Sequence, residues 1–327
     1  MRHTPLRGPL SVASALLLVG TLGACAGQDT PTAGKTPAST PSAARSSASS
    51  APSSAPSPGT ASRTASMTAA TQALDGLQHR YRARLGVYAL DTGTGREVVY
   101  HADDRFAFDS TYKALAAGAL LRHVSDADLS HVITYRAADL QDYSPITRSH
   151  VSTGMTLRAL IDAALRYSDN TAANLLLGRL GGPHGLQQAL RDVGDSTTHV
   201  DRTEPDVNTA VPGDVRDTST PRALGTDVRR FVLGDLLTSD RRKQLTDWML
   251  HNTTGGPYIR AGVPTGWKVG DKTGNGDYGS RNDIGVAWPP HGDPVVIAVL
   301  SERGHKDATS DDALIADATK AALTALR

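Results

Sequence analysis

The sequence predicts an α/β fold plus an all-α part, in which an antiparallel sheet flanked by helices is built from both ends of the folded chain and a helical domain is inserted between them. Three observations predict it. Strand-type alternation fills residues 85–90 and 97–100, helical spacing dominates from 110 to 237, and strand signals return only after Trp267. A length of 327 residues allows roughly two domains of ~150. With 39% hydrophobic and 20% charged residues, the composition is that of a soluble globular chain. The balance of 34 basic against 33 acidic residues gives no long-range field of either sign, so nucleic acid is not an expected partner.

Taken in order, Arg2 and Arg7 precede an apolar run over residues 10–22, too short for a membrane span and right for the core of a signal peptide. Residues 1–24 are therefore read as a signal peptide. The run ends in Leu22-Gly23-Ala24-Cys25, which resembles a bacterial lipobox. On that reading Cys25 is lipidated and becomes the mature N-terminus; the plainer reading is a soluble signal peptide with an incidental Cys. Cys25 is the single Cys of the chain, which excludes an internal disulfide and a thiolate metal cluster. The 11 His residues include no H-x-H or H-x-x-x-H pair, so no zinc site and no cofactor is expected. Residues 25–66 are rich in Ser, Ala, Pro and Thr, with too little apolar surface to offset the entropy of ordering, and read as a disordered tether.

The folded part is expected from Met67. Residues 69–84 have helical spacing (Leu74, Leu77, Tyr81), followed by the hairpin 85–100 around Asp91-Thr92-Gly93-Thr94-Gly95. Helices are expected over 110–123, 156–167 with Thr156 as N-cap, 171–180 ending at Gly181-Gly182, and 227–237. Strands at 267–270, 283–288 and 295–300 and a closing helix over 311–326 complete the chain. The organisation expected is an α/β domain of residues 67–107 and 257–327 with an all-helical domain of residues 108–256, and a site in the cleft between them.

Three short runs carry chemistry. Ser110-Thr111-Tyr112-Lys113 sets a hydroxyl and an amine three residues apart at a helix start, on one face. The amine takes the hydroxyl's proton while the helix N-terminus favours developing negative charge. Alone the run is weak, since about one S-x-x-K is expected by chance in so Ser-rich a chain, and it also fits a capped helix with a solvated Lys. Ser168-Asp169-Asn170 lies between two helices and is equally a turn sequence, while Lys272-Thr273-Gly274 lies on a late strand and could be its exposed end. Order and spacing decide, because nucleophile, hydroxyl-amide loop and basic strand occur in the sequence expected of class A β-lactamases and penicillin-binding proteins.

The chain resembles a class A serine β-lactamase from about Met67 to Arg327. The resemblance extends to residues 106–113, Tyr143-Ser144-Pro145, residues 167–174, Asn252-Thr253-Thr254-Gly255, Gly266-Trp267 and Gly279-Ser280-Arg281. Arg202-Thr203-Glu204-Pro205-Asp206-Val207-Asn208 matches the family's Glu-Pro-x-x-Asn element of the Ω-loop, here residues 202–217, which penicillin-binding proteins lack. The fold implied is that of serine β-lactamases and DD-peptidases, and the activity is hydrolysis of the β-lactam amide bond through a serine acyl-enzyme.

By resemblance, Ser110 attacks, and the backbone N–H groups of Ser110 and Asn275 form the oxyanion hole. Lys113 and Glu204 are both candidate acylation bases. Ser168, helped by Lys272, passes a proton to the leaving nitrogen; Thr273 and Arg281, with Lys272 and Gly274 on the same strand edge, hold the substrate carboxylate. Asn170 and Tyr143 contact the rest of the substrate, and Glu204 with Asn208 positions the deacylating water. Asn174 is expected against Glu204, Arg202 paired with Asp217, and the Glu204-Pro205 bond cis. The partners implied are a β-lactam and, through Cys25, the outer face of the cytoplasmic membrane, with a monomeric enzyme also open to release.

Two residues depart from the family. Asp109 stands where a small or apolar residue is usual, and a buried carboxylate there must be paired or protonated. Asn275 is also less usual. Asp109 and Gly276 together exclude the extra disulfide of some carbapenem-hydrolysing relatives, and penicillins are the expected first substrates. A D-alanyl-D-alanine peptidase shares Ser110, Lys113, Ser168 and Lys272, and Glu204 argues against it. An inactive envelope-binding lipoprotein would not keep the whole set.

Overall fold

A computed structural model describes residues 58–327, with side chains from residue 65. The signal peptide, Cys25 and most of the tether lie outside the described residues. The described chain falls within one compact unit, Ala55–Arg327.

It begins with α1 (Pro58–Tyr81) and the hairpin β1 (Arg84–Asp91) and β2 (Glu97–Tyr100). Short strand β3 (Phe106–Ala107) leads into a 3-10 turn, Asp109–Thr111, and α2 (Tyr112–Leu121). Then come α3 (Asp126–Ser130), β4 (Val132–Ile133), β5 (Met155–Thr156), α4 (Leu157–Arg166), α5 (Asn170–Leu180), α6 (Gly182–Asp192) and β6 (Thr218–Ser219). After α7 (Pro221–Val232), α8 (Ser239–Leu250) and α9 (Ile259–Gly262), strands β7 (Lys268–Asn275), β8 (Arg281–Trp288) and β9 (Val295–Glu302) precede α10 (Asp312–Leu326).

Five strands form one antiparallel sheet in the order β2-β1-β9-β8-β7, so its strands come from both ends of the described chain. Period-2 alternation sends Val296, Ala298 and Leu300 into a core shared with α2, α4, α5 and α7. Ile297 and Val299 face the opposite core, with Leu74 of α1 and Ile315 and Ala318 of α10. Both faces of the sheet are covered. That is why β1 and β9 read as nearly continuous apolar runs.

Local signals set the helix ends. Thr156 accepts from Ala159 N at 3.2 Å at the start of α4, and Asp169 accepts from Ala172 N at 2.9 Å at the start of α5, which stops at left-handed Gly181. Three expectations need correction. The first helix begins at Pro58 rather than near Met67, with Pro at the first helical position, where its missing N–H costs nothing. The helix expected over 227–237 runs Pro221–Val232 instead, capped by Thr220, whose hydroxyl accepts from Ala223 N at 3.2 Å. Helices α6 and α8 were not anticipated. Gly182 and Pro183 at the start of α6 look like breakers, while α8 buries only Leu245, Trp248 and Met249 among polar residues.

Candidate active site

Ser110 sits in the 3-10 turn before α2 and Lys113 in the first turn of the helix, so the turn delivers both side chains to one place. A cleft of about 340 Å³ opens above them. Its walls include Ser110, Ser168, Asn208, Thr273, Asn275 and Arg281, with Tyr143 and Asn170 at one side. Lys113, Glu204 and Lys272 lie beneath this surface with buried side chains. The expected catalytic residues, far apart in sequence, are thus in mutual reach.

Glu204 is the centre of the network. Its Oε1 lies 2.9 Å from Lys113 Nζ and accepts from Ser110 Oγ at 3.2 Å and Tyr112 OH at 3.3 Å, and its Oε2 accepts from Asn208 Nδ2. Asn174 holds the Glu204 backbone from both sides, donating to its carbonyl at 2.9 Å and accepting from its N–H at 2.8 Å. The Glu204-Pro205 bond is cis. Across the neck of the Ω-loop, Asp217 accepts from Asp201 N at 2.8 Å, Arg202 N at 3.0 Å and Arg202 Nε at 2.5 Å. The loop is anchored by this buried carboxylate in place of regular secondary structure.

Lys113 donates to Asn170 Oδ1 at 2.6 Å and to the carbonyl and hydroxyl of Ser168 at 2.8 and 3.3 Å. Burial pulls the Lys113 amine below its usual range, opposed by the charge of Glu204. Lys272 donates to Ser168 Oγ at 3.0 Å and to the Thr273 carbonyl at 2.8 Å. Burial, and then the neighbouring Lys113 charge, bring Lys272 down to about 7. Ser168 itself holds a left-handed backbone, φ 56°, and stands between the two amines. Such an arrangement can pass protons near neutral pH.

Asp169 fixes this loop to the opposite rim by accepting from Ile146 N at 3.0 Å and Thr147 N at 2.9 Å. Asn170 N donates to the Tyr143 carbonyl at 3.0 Å, and its Nδ2 to the Asp142 carbonyl at 3.0 Å. Both ends of the Asn170 amide therefore have internal partners, while the Tyr143 ring is exposed at the mouth. On the other wall, Thr273 Oγ1 is 2.6 Å from Thr254 Oγ1. Arg281 Nε lies 2.9 Å from Asp312 Oδ1, without hydrogen-bond alignment, and its guanidinium is 5.5 Å from the Tyr258 ring centroid. Gly274 lets β7 run against the turn that carries Ser110: a Cβ there would meet the Phe108 carbonyl oxygen at 2.8 Å.

Asp109 is fully buried, with φ 48°. Its Oδ2 accepts from Ser280 Oγ at 2.6 Å and Asn282 Nδ2 at 2.7 Å, and burial pushes its carboxyl up to about 8. The carboxyl is both paired and biased toward its protonated form.

Several contributors escaped sequence reasoning. Tyr112 reaches Glu204, while Thr254 and Tyr258 line the cleft. Below Lys272, Asp271 accepts from Arg260 Nε and Nη2 at 2.8 and 2.6 Å and from Asn252 Nδ2 at 3.2 Å. Asn252 and Thr254 belong to a run that resembles the family; nothing local marks Arg260.

The deciding observation is how far this likeness extends. Residues 69–326 match the sequence profile of the β-lactamase enzyme family. The chain belongs to that family. A β-lactamase of Amycolatopsis lactamdurans is 59% identical over 255 residues, 78% of this chain and 84% of that protein. One from Bacillus licheniformis is 56% identical over 250 residues, 76% and 81% of the two chains. The crystal structure of the class A β-lactamase from Clostridium kluyveri matches with a TM-score of 0.77 and 49% identity, covering 78% of this chain and 98% of that one. The protein is a class A serine β-lactamase, and its sheet and helices have the architecture expected of that class.

Proposed function

We propose that this β-lactamase acts first on penicillins, through a Ser110 acyl-enzyme that Glu204 then hydrolyses, and that it works outside the cytoplasmic membrane on a lipid anchor at Cys25. The single observation that carries the chemistry is one buried carboxylate oxygen shared between the nucleophile, at 3.2 Å, and an amine, at 2.9 Å. The Ser110 proton passes into the Glu204–Lys113 pair as the hydroxyl attacks the lactam carbonyl. The oxyanion is met by the backbone N–H groups of Ser110 and Asn275, where one donor is worth about 10²–10³ in rate. Ser168, hydrogen-bonded to Lys272, protonates the departing nitrogen.

Thr273 and Arg281 hold the substrate carboxylate on the β7 side of the cleft, beside Lys272 and Gly274, and Tyr143 with Asn170 borders the acyl side chain. Asn170 has its amide engaged, so it meets substrate by exchanging one of those partners. In the second half-reaction a water between Glu204 and Asn208 attacks the ester. Resistance to β-lactams is the consequence of the complete cycle. A signal peptide over residues 1–24 and the lipobox-like Leu22-Gly23-Ala24-Cys25 support export and anchoring, and the balanced charge supports a protein without nucleic-acid affinity.

Glu204→Gln tests the assignment. The Glu204 charge opposes the effect of burial on Lys113, so its removal lowers the amine's proton affinity further and leaves Lys113 the one remaining candidate base for acylation. Intact-protein mass spectrometry with a good penicillin should show a covalent adduct on Ser110, while turnover falls by ~10²–10⁴, the usual worth of a general base. Wild-type turnover in the variant would refute the role of Glu204. A wild-type adduct lasting for hours would instead indicate a penicillin-binding protein.

A further inference from the structure

The Asp109 side chain packs against the strand that carries Asn275. Gly274 and Gly276 flank Asn275, and both border Asp109: a Cβ on Gly274 would lie 3.1 Å from Asp109 Cβ, and one on Gly276 would be driven into Asp109 Oδ1. The carboxyl therefore fills the space behind the Asn275 segment, and it is attached to the residue before Ser110. Ser280 and Asn282 hold Oδ2; Oδ1 has no protein partner among the described residues.

Among the described residues no cation bonds to it. Of the charges that face it, Glu204 on the Ω-loop and Glu302 on β9 are negative, and Arg281 on β8 is positive but turned toward Asp312. On β7, Lys272 is committed to Ser168 and the Thr273 carbonyl, and Asp271 to Arg260. On α2, Lys113 is committed to Glu204, Ser168 and Asn170. Asp283 on β8 accepts from Ile259 N, and Asp206 is exposed.

We propose that Asp109 is a positioning residue that sets the alkaline limit of acylation: its carboxyl must be neutral for the segments bearing Ser110 and Asn275 to stabilise an oxyanion. This rests on the Ser110 acyl-enzyme reading. Donors arranged for developing negative charge lose their advantage when a fixed negative charge lies behind them in a water-poor interior. The protonated form has no such charge. Burial holds the Asp109 carboxyl up to about 8, so acylation is intact below that pH and lost as pH rises through it.

The test measures kcat/KM for benzylpenicillin from about pH 6 to 10 in the wild type, Asp109→Asn and Asp109→Ser. With a limiting group near 8, wild-type acylation falls about tenfold by pH 9 relative to its plateau, and the neutral variants lack that fall. The variant-to-wild-type ratio is the readout, because a limb due to Lys272 is common to both and cancels. A ratio that stays flat across the range overturns the proposal. If neither variant folds, Ser280→Ala decides. It removes a hydrogen bond that favours the ionised carboxylate, so the alkaline limb should move to higher pH, and an unmoved limb overturns the proposal. A wild type with neither turnover nor a Ser110 adduct at any pH defeats the acyl-enzyme reading, whereas an active wild type with a flat ratio defeats only the role of Asp109.

Discussion

Replacing Asp217 by Asn keeps the size of the side chain and removes its charge. The amide oxygen retains the bonds from Asp201 N and Arg202 N, but the second position becomes an NH₂ directed at Arg202 Nε, donor against donor. The loss is one charge-assisted hydrogen bond, about 1.5–3 kcal/mol, added to an unpaired buried amide. Arg202 is only 19% exposed, so solvent screening removes little of that, although its Nη1 keeps Thr209 Oγ1 at 2.6 Å. A net cost of about 2–3 kcal/mol corresponds to a melting temperature lower by roughly 4–12 °C at this domain size. The chemistry should suffer unevenly. Glu204 and Asn208 ride on the loop, while Ser110, Lys113, Ser168 and Lys272 do not, so deacylation should slow more than acylation and the covalent intermediate should accumulate. Differential scanning fluorimetry and rapid-quench mass spectrometry measure both effects. An unchanged melting temperature, or equal loss in the two half-reactions, would show that the Arg202–Asp217 link does not position Glu204.

Other outcomes are expected from single side chains. Arg281→Ala should raise KM for carboxylate-bearing substrates by roughly 10- to 150-fold, the equivalent of ~1.5–3 kcal/mol for a hydrogen bond to a charged group; unchanged steady-state constants would put the anchor elsewhere. Cys25→Ser should release the protein from membranes with unchanged specific activity, and equal membrane association of the two forms would exclude a lipid at Cys25.

What the sequence discloses depends on how locally each feature is encoded. Ser110-Thr111-Tyr112-Lys113 and Lys272-Thr273-Gly274 are legible because each run places its groups within one turn or one strand. Glu204 is different: nothing in its neighbours marks a catalytic carboxylate, and only the resemblance of the Ω-loop run points to it. Arg260 is hidden for another reason, since its partner Asp271 is reached only when α9 packs beside β7. Among the helices, Thr220-Pro221 is a legible cap and first turn, yet the apolar count alone moves the helix to Asp227. The start of α1 shows the limit of composition, since its Ser, Thr and Gly residues match the tether before it and only Pro58 at the first helical position marks the boundary.

The strand order has a consequence for biogenesis. β9 lies between β1 and β8, with residues 84–91 paired to residues 295–302, segments that leave the ribosome about 200 residues apart, or ~10–40 s at ordinary synthesis rates. Until the last strand is available, β1 has only the short β2 beside it, and a two-stranded hairpin is marginal in water. The sheet thus cannot close before nearly the whole chain exists. On the proposed reading that the chain is exported, late closure keeps the sheet open until synthesis is nearly complete.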